Sequence, residues 1–213
     1  MRKIMFDDKR YLTQAVLQGR KTMTRRFATT EEIKDFKTGY LTEPNEAGTF
    51  VLCDGWRIVA KSRYKVGEEV AVAQSYKTLL ESEYMPKDIE SKVCELVRSE
   101  HAGCTNKMYV AADLMPKRIR ITAIKAERLQ DITDEDCMRE GVQRFRFRDE
   151  TVYVGNAMKI PESWENWIAE GAMPIFNDFP TPREAFAAMI NWISGKGTWE
   201  SNPYVFAYSF ELV

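Results

Sequence analysis

The chain has 213 residues, 44% of them apolar, which is enough to bury the core of one domain with insertions. Lys and Arg number 31 against 32 Asp and Glu, so the field of the whole molecule draws it to no polyanion; nucleic-acid affinity would need a local patch. No apolar run is long enough to span a bilayer and Met1 to Asp8 carries no signal-peptide apolar region, which implies a cytoplasmic protein with no membrane partner.

In chain order, Lys3 to Phe6 reads as a short strand. Asp7 or Asp8 can cap a helix with Tyr11, Leu12, Ala15, Val16 and Leu17 on one face, closed by Gly19. Residues 28 to 48 are polar and turn-rich. Thr49–Cys53 and Trp56–Ala60 predict two strands about an Asp54-Gly55 turn, and Val70 to Gln74 a largely apolar strand. Residues 78 to 106 are charged, helix-permissive and read as an excursion from the core.

Met108 to Ala112 reads as a strand, and Arg118 to Arg128 as a longer one with Ile119, Ile121, Ala123 and Lys125 alternating. Thr133 to Asp136 forms a capping box that starts a short helix ending before Gly141. Gln143 to Arg148 alternates rings with cations, giving a strand face of Arg144, Arg146 and Arg148. Residues 155 to 181 read as an irregular connection. Thr181-Pro182 opens a helix with Phe186, Met189, Ile190 and Ile193 on its face, and Tyr204 to Val213 is the closing strand. Short strands without regular strand–helix alternation exclude a doubly wound sheet and favour an α+β fold built on a small, mostly antiparallel barrel with flanking helices.

Chemistry concentrates in Gly19-Arg20-Lys21-Thr22-Met23-Thr24-Arg25-Arg26, four cations and two hydroxyls after a helix end. A desolvated lysine can act as a base, and a threonine beside it as a nucleophile. The same cations could instead offset the carbonyl-end dipole of the helix, with a solvated strand following. If residues 20 to 26 were one straight strand, Lys21 and Thr24 would face opposite ways, so cooperation needs a turn between them. Gly195-Lys196-Gly197 is no phosphate loop: Gly197 stands where Ser or Thr must follow the lysine, and the segment follows a helix. Cys53, Cys94, Cys104 and Cys137 lack CxxC spacing, so neither disulfides nor a metal site is expected, and no cofactor is implied. His101, the sole histidine, reads as a solvated loop residue, while Trp192, Trp199 and Tyr204 read as core.

The Gly19–Arg26 phrase resembles the signature of the ASCH domain, which has a PUA-like fold, and the phage-associated and bacterial branch is the most similar. Three further phrases carry the resemblance: Gly67 to Gln74; Met115-Pro116 with Arg120-Ile121-Thr122 and Glu127 to Ile132; and Asn191-Trp192 through Gly195-Lys196-Gly197 and Trp199 to Asn202-Pro203-Tyr204-Val205. Residues 28–48, 77–106 and 143–180 are unmatched and read as insertions in a single domain, residues 1–213. The resemblance implies a PUA-like barrel and a cleft for RNA or a nucleoside. In the amidohydrolases of the group, which deacetylate N4-acetylcytidine, the working residues fall at Lys21, Thr24 and position 74. A glutamate is expected at 74 and this chain has Gln74, which cannot relay a proton.

The resulting expectation is a monomer that binds RNA or a modified nucleoside. Lys21, Thr24 and Gln74 form the cleft floor, with Arg20, Thr22, Arg25, Arg26, Arg118, Arg120, Lys196 and Trp199 contacting ligand. The alternatives are an amidohydrolase for N4-acetylcytidine or a similar small amide, and a phage or prophage accessory protein that binds a host protein. An open arginine-lined groove would favour RNA, a small closed pocket the enzyme, and an exposed apolar patch in 78–106 or 155–181 the accessory protein.

Overall fold

The computed structural model describes residues 1–28, 40–41, 51–54, 57–81, 85–147, 150–155 and 178–213. Its centre is a five-stranded mixed sheet in the order β1-β6-β7-β11-β2. The long neighbours β7 (Arg118–Arg128) and β11 (Tyr204–Leu212) pair antiparallel along their length. Beyond β11 lies β2 (Met23–Phe27), antiparallel to it; beyond β7 lies β6 (Glu69–Val72), which carries the parallel edge strand β1 (Lys3–Ile4).

Two three-stranded antiparallel sheets flank it. One joins β3 (Tyr40–Leu41), β4 (Val51–Asp54) and β5 (Arg57–Lys61); the other joins β8 (Gln143–Phe147), β9 (Glu150–Val154) and β10 (Asp178–Phe179). The anticipated hairpin is present, but Asp54, expected in its turn, is the last residue of β4 and pairs with Arg57. The architecture is α+β.

The sheet curls strongly. Flat, five strands would hold the outer two about 19 Å apart. Yet Arg26 on β2 donates from Nη2 to the carbonyl of Met5, just past β1, at 2.5 Å. Phe6, Tyr64, Val70, Val72, Ile119, Ile121, Ile124, Phe206, Tyr208 and Phe210 fill the concave side. Among the described residues no sheet closes on itself through backbone pairing.

A bulge on β7 rephases its side chains. Ser209 pairs with Ala123 but Phe210 pairs with Ile121, so Thr122 is the extra residue. Burial accordingly passes from Ile119 and Ile121 to Ile124, not to Ala123 as unbroken alternation required. Lys125 and Glu127 thereby share the convex face with Ala207 and Arg25, the register partners of Lys125 through β11 and β2.

Helices cover the edges. α1 (Leu12–Leu17) buries Leu12, Ala15 and Val16, and Gly19 at φ 70 ends it. Neither Asp7 nor Asp8 caps it: Asp7 accepts from the Arg10 amide, and Tyr11 at the N-terminus has φ 58. The excursion is α2 (Tyr76–Leu80) and α3 (Lys87–Arg98), packed on a second core of Leu79, Val93, Val110 and Met115. Residues 108–112 are not a strand. The Asn106 side chain accepts from the Met108 amide and starts a 3-10 turn at Lys107–Tyr109, with Met108 and Tyr109 exposed.

Thr133 caps α4 (Asp134–Arg139), accepting from the Asp136 amide, and Thr181 caps α5 (Pro182–Ser194) in the same way. α6 (Thr198–Ser201) follows. Among the described residues no large apolar side chain of 78–106 is exposed, and no helix is long and apolar enough to cross a membrane. Most of residues 28–48 and 155–181, with Arg148 and Cys53, lies outside the described residues or side chains.

Candidate active site

Lys21 stands between the end of α1 and the start of β2. The amides of Arg20 and Lys21 both donate to the Ala15 carbonyl, so the chain turns around the helix end before it extends. The turn lies before Lys21 and not between it and Thr24, since Thr22 already accepts from the Phe210 amide of β11. The two side chains line one cavity of about 120 Å³, with Arg25, Arg26, Glu140, Phe6 and the α5 residues Phe186, Met189, Ile190 and Ile193 among its walls.

Lys21 is 2% exposed. Its Nζ donates to Glu140 Oε2 and to the Glu140 carbonyl, each at 2.6 Å. Glu140 Oε1 accepts from Arg25 Nη1 at 3.1 Å. Arg25 reaches onward to Glu127 Oε1 at 2.5 Å and Asp136 Oδ2 at 3.0 Å, and Lys125 bonds the same Asp136 oxygen at 2.6 Å. Helix α4 makes this network possible. Arg139 ties its end to β2 and β11 through Thr22 Oγ1 and Ser209 Oγ, and the Thr22 amide donates to the Arg139 carbonyl. Gly141 at φ 110 stops the helix just after Glu140. Asp136 thus forms only half of the expected capping box, because its carboxylate serves Arg25 and Lys125.

Burial lowers the Lys21 pKa; Glu140 opposes that shift, while Arg26 and Arg25 add to it. The ammonium therefore yields its proton more readily than a solvated lysine. Burial alone would raise Asp136, but Lys125 and Arg25 hold it below the usual carboxylate range. Burial pushes the Cys137 thiol up to about 12, so it is no nucleophile at neutral pH.

Thr24 is 5% exposed, and its hydroxyl makes no hydrogen bond among the described residues. The strand edge adds backbone donors. Phe210 N–H bonds the Thr22 carbonyl and Ala28 N–H bonds the Tyr204 carbonyl, so even-numbered positions of β2 pair with β11. The N–H groups of Arg25 and Phe27, both cavity residues, therefore point away from β11, off an edge that no strand pairs among the described residues.

Gln74 does not line this cavity. It is buried beyond the end of β6, and alternation with Val70 and Val72 turns it to the concave side; its carboxamide has no hydrogen-bond partner among the described residues. Arg118 and Arg120 lie elsewhere, exposed and paired with Glu69 and Glu211. Arg20 is exposed and donates to Gln18; Lys196 is exposed on the turn after α5. Trp199 stands edge-on to Phe186 under Arg183, and Tyr204 lies 3.8 Å beneath Arg128. Trp192 is not core but 43% exposed, with Arg10 over its ring. His101 is exposed, and its Nδ1 accepts from the Gly103 amide. Among the described residues no three His, Cys, Asp or Glu side chains gather to hold a metal.

Glu140, Asp136 and Glu127 are the site residues that sequence reasoning missed. The available signal was Asp136 and Glu140 at i, i+4 on one helix face, directly before a glycine. No protein-family model, curated protein or solved structure matches the chain.

Proposed function

We propose that the chain is a small-amide hydrolase of the ASCH type, acting on N4-acetylcytidine or a similarly small acylated base. The observation that carries this reading is a desolvated Lys21, held by a carboxylate, sharing a small cavity with the unbonded hydroxyl of Thr24. Glu140 supplies the carboxylate that position 74 lacks. The curl of the sheet supports a PUA-like barrel as its frame.

In the reaction, Lys21 passes its proton to Glu140 and, as the neutral amine, takes the proton of Thr24. Thr24 Oγ bonds the carbonyl carbon, and the outward N–H of Arg25, the next residue, is the backbone donor for the developing oxyanion. The C–N bond breaks as the Lys21 ammonium gives that proton to the leaving amine, and water, relaying its own proton through Lys21 to Thr24 Oγ, hydrolyses the acyl-threonine ester to the free acid and restores the hydroxyl. An RNA groove has less support, since Arg118 and Arg120 are committed to carboxylates far along β7 from the Lys21 cavity.

Ultraviolet-monitored hydrolysis of N4-acetylcytidine tests the proposal. Turnover should fall about 10²–10⁴-fold in Lys21→Ala. It should vanish in Thr24→Ala and partly return in Thr24→Ser. Turnover unaffected by Lys21→Ala, or none in the native chain, would discard the enzyme reading.

A further inference from the structure

Five ionisable groups line the cavity: Asp7, Lys21, Arg25, Arg26 and Glu140. Asp7 is engaged by Arg10 at 3.1 Å. Glu140 is divided between Lys21 and Arg25, and Arg25 has Glu127 and Asp136 besides. Arg26 is left over. Its guanidinium donates to the Met5 carbonyl and stands 5.6 Å from the centre of the Phe6 ring, and no carboxylate lies within ion-pair distance among the described residues. Its Nε and Nη1 donors have no partner among the described residues, although neither is sealed from solvent. An arginine stays charged at any accessible pH, so this charge and its unused fork of donors persist inside the cavity.

We infer that the Arg26 side of the cavity is an anion subsite, and that the ligand carries a phosphate or carboxylate as well as the group presented to Thr24. The chemistry fits: a planar guanidinium with one edge held by a carbonyl and further N–H groups open is a receptor for an oxyanion, not for a neutral sugar or base. Geometry fits too. Thr24 and Arg26 alternate with Arg25 and share the face of their register partners Tyr208 and Phe206, so their Cα atoms are about 7 Å apart. An anion at Arg26 and an acyl carbon at Thr24 can therefore belong to one small molecule. This rests on the same cavity as the hydrolase reading but narrows the substrate to a nucleotide or an acidic amide over the bare nucleoside.

The test reads binding, so that its failure separates from failure of catalysis. Calorimetry compares N4-acetylcytidine with its 5′-monophosphate on Thr24→Ala protein, where no turnover intrudes, with inorganic phosphate and acetate as separate competitors. The monophosphate should bind at least about tenfold more tightly. That preference should disappear in Arg26→Gln, persist in part in Arg26→Lys, and shrink as salt rises. Competition by phosphate alone assigns the subsite to phosphate; competition by acetate as well assigns it to oxyanions generally. Equal affinity for the two ligands, or a preference that survives Arg26→Gln, overturns the inference even if turnover is found. If neither nucleoside ligand binds, direct titration of phosphate and acetate decides: binding that Arg26→Gln abolishes upholds the subsite, and no binding removes it. Should Arg26→Gln not fold, thermal stabilisation of the native chain by phosphate over chloride at matched ionic strength replaces it, and no stabilisation overturns the inference.

Discussion

Two clusters of cations sit on the same curled sheet and have opposite characters. Around β2, Lys21 and Arg25 are almost wholly buried against Glu140, Glu127 and Asp136. On β7, Arg118 and Arg120 stand nearly half exposed beside Glu69, and Arg120 also beside Glu211. In sequence both look alike, as basic residues beside a strand. The difference lies in what covers them. Helices α4 and α5 shut water out of the first cluster, so each charge there must be matched or it costs several kcal/mol. Water does most of that work for the second, and its pairs are nearly dispensable. Burial, not charge count, marks the first cluster as the place for chemistry.

Removing Glu140 should have the largest effect. Glu140→Ala strands the Lys21 ammonium in a dry site and takes one carboxylate from Arg25, with an expected cost of about 3–5 kcal/mol in urea unfolding. Glu140→Gln keeps the shape without the charge and should fall between Ala and the native chain. A loss near zero in both would mean that the cavity is wetter than its burial indicates, and the contrast with β7 would dissolve. Gly19→Ala attacks the same site through the backbone. At φ 70 a Cβ is strained, yet nothing lies within 4 Å of it, so the cost of about 1–2 kcal/mol is conformational alone. Activity should fall further than stability accounts for, because the turn at Gly19 aims Lys21 at the Thr24 cavity.

Much of the frame was legible in the residues. The eleven-residue β7, the Thr133 and Thr181 caps, the helix face of Phe186, Met189 and Ile190, and the stop at Gly19 are local signals, and each stands where periodicity put it. Lys21 and Thr24 line one cavity, but only the resemblance paired them, because strand periodicity sets them on opposite faces. The β7 bulge was not legible, since Ile-Thr-Ala-Ile has no glycine or proline to mark the slip, and through it Lys125 changed faces. Nor was Glu140. The expectation of a carboxylate at position 74 hid the acid that reaches Lys21 across 119 residues of sequence. A partner so distant is decided by how α4 docks on β2, which no window of local sequence encodes. Trp192 misled in the other direction: it falls one position past the buried stripe of α5, and Arg10 covers its ring in place of a core.

Acid sharpens the contrast more gently. Asp136 has its pKa held below the ordinary 3.8 in the folded state. Between the two values the unfolded chain binds more protons, so stability rises with pH there. The contribution is complete above about pH 4 and is lost as pH falls through the folded value. Urea midpoints measured from pH 5 downward should decline for the native chain and run flatter for Asp136→Asn. Parallel curves would show that Asp136 is not coupled to Lys125 and Arg25.

The smallest effect is expected on β7. Arg120 is held by Glu69 across one strand neighbour and Glu211 across the other, both its register partners and both substantially exposed. Arg120→Ala should leave the urea midpoint within the scatter of repeat titrations. In a double-mutant cycle with Glu69→Ala, any coupling should fade in 0.5 M salt, because the charges lie within reach of counterions. The matching cycle on Lys21 and Glu140 should keep its coupling in the same salt, since no ion enters between groups 2.6 Å apart in a buried site. If the two cycles respond to salt alike, burial is not what separates the clusters. The case for chemistry at Lys21 would then have to rest on Thr24 alone.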